Sequence, residues 1–382
     1  MTPNLPSTAL ELRSLIRATG ELEVSLASVA LPAPGAEEVL VRIDAAPINP
    51  SDLGLLFGPA DMSTARFGGT PERPVLTARV PESALRGLAG RLDIPMPVGN
   101  EGAGVVVAAG SSAAARALLG RTVAVMGGAM YCQYRCVPVD NCLPLPAGTR
   151  AVQGCAAFVN PLTAIGMVET MRREGHTALV HTAAASNLGQ MLNRLCQAEN
   201  VPLVNIVRSA QQVGLLEAIG ARHVLDSTAD DFLPRLVDAL ATTGATIAFD
   251  AIGGGKLAGR ILNAMEAVAA RSLKEYSRYG SSVPKQVYIY GGLDPAPTEL
   301  TRNFGFTWSM GGWLLFHFLR RSGAEAVKGY YGRVAAELTT TFASAFSQEV
   351  TLAGALQPPA ILAYAKRATG AKFYINPNLG QH

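Results

Sequence analysis

The sequence predicts an α/β protein in which a doubly wound parallel sheet is inserted into a β-rich domain. Three observations lead there. Strands of continuous apolar character alternate with helical segments from about residue 160 to about residue 340. Short β-branched runs punctuated by Gly, Pro and Asn precede them. Strand-and-turn texture returns after Thr340, which suggests that the tail completes the first domain.

In the first part, EVLVRIDAAPINPSDL, GAGVVVAAGSS, GRTVAVMGG and YCQYRCVPVDNCLPLP read as strands of a small barrel-like domain. In the middle part the strand candidates are TALVHTA, PLVNIVR, HVLDS, ATIAFDAI and QVYIYGG. Helices such as NLGQMLNRLCQAEN and QQVGLLEAIGA lie between them. Strands buried on both faces need no polar alternation, so the series reads as βαβ units in a parallel sheet. The domains are then 1–158 with 341–382, and 159–340.

At 382 residues, 49% of them hydrophobic, the chain can build two domains, each with its own core. Lys and Arg exceed Asp and Glu by only 32 to 29, too little to hold a polyanion, so the expected partner is a small molecule and not nucleic acid. The N-terminal MTPNLPSTALELRSL lacks a basic region followed by an apolar core. The stretch FGFTWSMGGWLLFHFL carries His317 and falls short of the roughly 20 residues of a spanning helix. A cytoplasmic location without membrane insertion is expected. Cys132, Cys136, Cys142, Cys155 and Cys196 lack the close paired spacing of a structural zinc site and read as reduced thiols, so no metal is expected.

Two segments exceed what the fold needs. DMSTARFGGTPERPVLTARVPESALRGLAGRLDIPMPVG can lie over a substrate cleft, and ARSLKEYSRYGSSVPK is a charged extension ahead of the VYIYGG strand; surface decoration is the alternative for both.

The chemistry centres on HTAAASNLGQ, which follows a strand and opens a helix. A diphosphate at a helix N-terminus is held by backbone N–H groups, so the position demands close approach and permissive φ more than glycine as such. Ala185, Ser186, Asn187, Leu188 and Gly189 supply small or adaptable residues, with Asn187 suited to the left-handed region and Gly189 to close helix packing. The next strand ends at Arg208 and Ser209, which offer donors to a 2′-phosphate where an acid would accept from a 2′-OH. The expected cofactor is NADPH.

Taken in order, INPSDL, GNEGAGVVV, NPLTAIG, AAASNLGQ, NIVRS, LEAIGARHVLDS, IAFDAIGG and YIYGG resemble the medium-chain dehydrogenase/reductase superfamily over most of the chain. The similarity is to its zinc-free branch, near quinone oxidoreductases and 2-enoyl thioester reductases. The resemblance implies a Rossmann-type sheet inserted into a GroES-like domain. It places Asn49, Asn100 and Val159 where zinc-dependent relatives carry Cys, His and a second Cys. Hydride transfer from NADPH to a quinone or other conjugated carbonyl is the implied chemistry.

Asn49 is implied beside the nicotinamide, orienting its carboxamide or donating to the substrate oxygen; the alternative is a cap for the turn at Pro50. Thr163 is implied under the nicotinamide, with Gly253, Gly254, Tyr290, Gly291 and Gly292 on the far side, while Asp250 orients backbone. Two departures stand out. Ala60 occupies the place of the tyrosine that enoyl thioester reductases use, and Gln212 that of a 2′-phosphate lysine. The alternatives are a 2-enoyl thioester reductase and a non-catalytic NADPH-binding protein. The apolar FTWSMGGWLLFHFL suggests a homodimer surface or a buried core helix.

Overall fold

The computed structural model describes residues 5–365 and 372–380. The chain divides into two compact units, residues 1–159 with 334–382, and residues 160–333.

In the first unit, β1 (Thr8–Ile16), β2 (Glu21–Ala30), β3 (Glu38–Pro47), β4 (Asp61–Gly69), β5 (Pro74–Arg79) and β6 (Met96–Pro97) come first. One sheet runs in the order β4-β5-β2-β1-β6. Its period-two pattern turns Leu12, Ser14 and Ile16 inward and leaves Glu11 and Arg13 at the surface side. Most of the long segment after Pro59 therefore becomes structure: the hairpin β4-β5 extends this sheet and sends Leu76 and Ala78 into the core. The second sheet joins β3 to β7 (Glu101–Ala109), β8 (Thr122–Met126), β9 (Tyr134–Pro138) and β10 (Cys142–Pro144). Here β3 lies between β7 and β9, and its consecutive residues Val39, Leu40 and Val41 are all buried, so both of its faces are covered.

The second unit carries β11 (Leu179–His181), β12 (Leu203–Val207), β13 (His223–Asp226), β14 (Ile247–Asp250), β15 (Gly253–Gly255), β16 (Lys285–Ile289), β17 (Asp294–Thr298) and β18 (Trp308–Gly312). Its main sheet runs β13-β12-β11-β14-β16-β18, and every pairing is parallel. Parallel neighbours require crossovers; helices supply them up to β16, and the segment carrying β17 supplies the one from β16 to β18. The helix Asn187–Ala198 buries Leu188, Met191, Leu192 and Leu195, one stripe at helical spacing against the sheet.

FGFTWSMGGWLLFHFL is not one helix. It forms β18 at the sheet edge and then the helix Leu315–Ser322, which buries Leu315, Phe318 and Leu319. The helical run 151–173 has the length and apolarity of a membrane span but is mostly buried inside the protein, as a core helix is.

The C-terminal segment adds β19 (Gln348–Val350) and β20 (Phe373–Ile375), and β20 pairs antiparallel with β3 through Tyr374–Pro47 and Ile375–Ala46. Between them PPAILAYA forms a helix where the sequence texture suggests strand and turn. Two prolines preset the first helical turn, and the alanines favour its continuation.

Candidate functional site

In the second unit, β11 ends at His181 and residues 182–186 turn into the helix Asn187–Ala198. Ser186 caps that helix, its Oγ accepting from the Gly189 N–H at 3.1 Å. A Cβ on Gly189 would lie 2.1 Å from the carbonyl oxygen of Ala184, so the helix start rests directly on the loop's main chain. Side chains are excluded there by contact. The left-handed residue is Ala183, at φ 51°, and not Asn187, which is already helical. The bend falls early because Ala184 must turn its N–H onto the carbonyl of Ile206 at 3.2 Å. What results is a helix N-terminus approached by bare backbone, with the positive end of the helix dipole aimed outward.

The neighbouring strand ends complete this edge. Asp250, wholly buried at the end of β14, accepts from the Thr182 hydroxyl (2.7 Å) and from the N–H groups of Ile252 (2.9 Å) and Gly253 (3.2 Å). Its carboxylate is thus spent on orienting backbone. Gly253 has φ +79°, and a Cβ on it would meet the Gly291 carbonyl oxygen at 2.8 Å, which draws the segments at Gly253–Gly254 and Gly291–Gly292 together.

Tyr290 has an unpredicted partner: its hydroxyl lies 2.7 Å from His181 Nε2, with the rings stacked at 5.8 Å. Since β14 separates β11 from β16, the tyrosine reaches across the end of that strand. Burial pushes the His181 pKa down to about 3, so the imidazole is neutral at pH 7. Thr163 is almost fully buried in the helix Val159–Arg173.

Arg208 follows β12 and is exposed. Its backbone N–H donates to Gln212 Oε1 at 3.0 Å, and Ser209 caps the helix Ala210–Glu217. Gln212 therefore has work of its own where a phosphate-binding lysine is expected: it closes the turn that presents Arg208.

Asn49 belongs to the first unit and is 2% exposed. It begins the helix Pro50–Leu56 as the first residue of a capping box with Asp52. The amide Nδ2 donates to Glu101 Oε1 at 2.8 Å, while the Asn49 N–H donates to Asp52 Oδ2 at 2.8 Å. Glu101 Oε2 accepts from the backbone N–H groups of Phe158 and Val159, both at 2.9 Å. Asp52 Oδ1 accepts from the Asn100 N–H at 2.8 Å.

Burial pushes the Asp52 pKa up to about 7, against the pull of these N–H donors, and raises that of Glu101. Lys372 Nζ is buried without a hydrogen-bond acceptor, over the Phe346 ring; burial lowers its pKa, and the charge of Glu101 counters. The groups converging on Glu101 are N–H donors, which repel a cation, so this donor set does not fit a metal. Among the described residues no three His, Cys, Asp or Glu side chains gather as a metal site.

Residues 35–147 match the model of the alcohol dehydrogenase GroES-like domain. Prostaglandin reductase-3 of Mus musculus is 26% identical over 305 residues, 69% of this chain and 72% of that protein. The synaptic vesicle membrane protein VAT-1 homolog of Rattus norvegicus is 28% identical over 59% of this chain but only 49% of its own length. A putative NADPH:quinone reductase from Mesorhizobium loti superposes with a TM-score of 0.73 at 28% identity, covering 98% of this chain and 100% of that one.

The matched domain and the superposition give the chain the fold of the medium-chain dehydrogenase/reductase superfamily. It is an oxidoreductase of the quinone oxidoreductase and enoyl reductase type. In this fold the C-terminal ends of β11, β12, β14 and β16 bring together residues 182–189, 208–209, 250–254 and 290–292. That is the edge at which open α/β sheets bind ligands. The pairing of His181 with Tyr290 and the role of Glu101 as a hub are invisible in the sequence. The one signal is a polar residue at each place inside an otherwise apolar stretch.

Proposed function

We propose that the protein is an NADPH-dependent, metal-independent reductase that passes hydride to a quinone or another conjugated carbonyl. The observation that carries this reading is the contact of Gly189 with the Ala184 main chain, which bares a helix N-terminus for a diphosphate. NADPH, when bound, supplies the hydride.

The chain's own residues do the rest. Ala185 to Gly189 meet the diphosphate, and Arg208 with Ser209 takes the 2′-phosphate in a forked, charge-assisted contact. Thr163, Gly253, Gly254 and Tyr290 to Gly292 hold the nicotinamide half. An amide carries two N–H groups, and Glu101 takes one from Asn49. Asn49 uses the other to orient the carboxamide or to donate to the substrate oxygen as charge develops on it.

The Mesorhizobium loti protein, described as a putative NADPH:quinone reductase, supports this choice. A second reading, a 2-enoyl thioester reductase, is favoured by the NEG stretch at Asn100–Gly102 and by NIVR, and disfavoured by Ala60 in place of the expected tyrosine.

Steady-state assays with NADPH decide between them. Turnover of quinones with little turnover of a crotonyl thioester is the expected result, and the reverse preference assigns the second reading. NADPH binding with no acceptor reduced across a broad panel would leave a binding protein without catalysis.

A further inference from the structure

The extension ahead of β16 takes no part in the site. Residues 271–284 form an irregular loop whose base is pinned from below. Ser281, 3% exposed, donates through its hydroxyl and its N–H to Glu266 at 2.6 and 2.7 Å. Lys285, 1% exposed, donates to Glu266 (2.6 Å), to the Val283 carbonyl (2.9 Å) and to Ser281 (3.1 Å).

A second loop, 301–307, lies against the first. The Phe306 N–H donates to the Tyr279 carbonyl at 3.0 Å, and the two rings meet edge to face at 6.0 Å. Phe304 is wholly buried and packs on Trp308 at 4.8 Å, anchoring this loop too. Both bases are held, so what the tips display is set by structure and not by slack.

The tips display apolar rings. Tyr276 is 93% exposed, Phe306 74%, Tyr279 55% and Leu273 39%. Exposed cations stand among them: Arg271, Lys274, Arg278 (over the Tyr279 ring) and Arg302, against the single carboxylate of Glu275. That is four positive charges against one negative, an excess equal to the +3 of the entire chain. A protein whose overall charge is thinly spread thus concentrates its net positive charge where it also exposes aromatic and aliphatic groups.

We infer that the loops 271–284 and 301–307 dock this protein on an anionic phospholipid surface. Tyr276 and Tyr279 suit the headgroup level, where one end of a ring is apolar and the other wet, and Leu273 and Phe306 suit the acyl boundary. Each nearby Lys or Arg adds attraction to an anionic leaflet at short range. Exposed rings interleaved with cations fit an anionic, partly apolar surface. Attachment of this kind is peripheral, reversible and weakened by salt.

The test is co-sedimentation of the full-length protein with vesicles of phosphatidylcholine containing about 30% phosphatidylserine, and with pure phosphatidylcholine vesicles. The protein is expected on the anionic vesicles, absent from the neutral ones, and released by salt at about 0.5 M. Lys274→Glu with Arg278→Glu should lower partition at least about thirtyfold, and Tyr276→Ser with Phe306→Ser should lower it as well. Both double variants should keep the wild-type melting temperature and NADPH affinity, since neither loop belongs to the cofactor edge. Equal partition onto both vesicles, or well-folded variants that sediment like wild type, would overturn the inference. So would preference for a single-stranded oligonucleotide over the anionic vesicles.

Discussion

The loop from Thr182 to Gly189 and the cluster of Asn49, Asp52 and Glu101 both place polar groups where water is scarce, by opposite means. The loop deletes side chains until the helix start rests on bare main chain. The cluster spends side chains, with two buried carboxylates each answered by N–H donors. One region is therefore sensitive to volume and the other to charge. Substitutions that alter only one of these properties should separate them.

The largest effect belongs to volume in the loop. Gly189→Val forces a branched side chain into the Ala184 main chain, and we expect a loss of about 3 kcal/mol in stability together with loss of NADPH binding. Urea denaturation and titration calorimetry measure the two. A variant that binds and unfolds like wild type would show that the loop has room to spare.

The second effect belongs to charge in the cluster. Glu101→Gln keeps the volume but turns an acceptor into a donor among donors, and should cost about 2 kcal/mol, read by the same denaturation experiment. Equal stability would mean that N–H donors do not define this site.

A third effect sharpens the electrostatic half. Asp52 has a folded-state pKa near 7, above its unfolded value of about 3.9, so the folded chain keeps a proton that the unfolded chain has released. Its contribution to stability is therefore present at acid pH and lost as pH rises towards 7, by at most about 1.4 kcal/mol per pH unit, and is flat above that. Asp52→Asn should remove that part of the slope in denaturation curves recorded between about pH 4 and pH 8. An unchanged slope would locate the titration elsewhere.

The smallest effect concerns selectivity alone. Arg208→Ala should weaken NADPH binding about tenfold and leave NADH affinity and stability unchanged, because the side chain is exposed and spent on nothing else that holds the fold. Equal affinity of the wild-type protein for NADH and NADPH would remove Arg208 from the site.

The same contrast explains what the sequence discloses. The loop is legible because its logic is local: a strand, a run of small residues and a helix follow one another within 20 residues, and Arg208 directly follows the next strand. The cluster is not, because Glu101 is answered from Asn49, 52 positions earlier, and from Phe158 and Val159, almost 60 positions later. Periodicity reports which face a residue takes and says nothing about what meets it there.

His181 and Tyr290, 109 positions apart, are hidden for the same reason. The misplaced bend is subtler. Side-chain preference favours Asn187 for positive φ, yet a hydrogen bond to Ile206 on the adjacent strand fixes the bend at Ala183.

Titration calorimetry of the purified, folded protein with NADPH and with NADH tests the central claim most directly. The architecture of the β11 edge predicts saturable heat with one NADPH per chain and a weaker response to NADH. Absence of heat from both dinucleotides would contradict it.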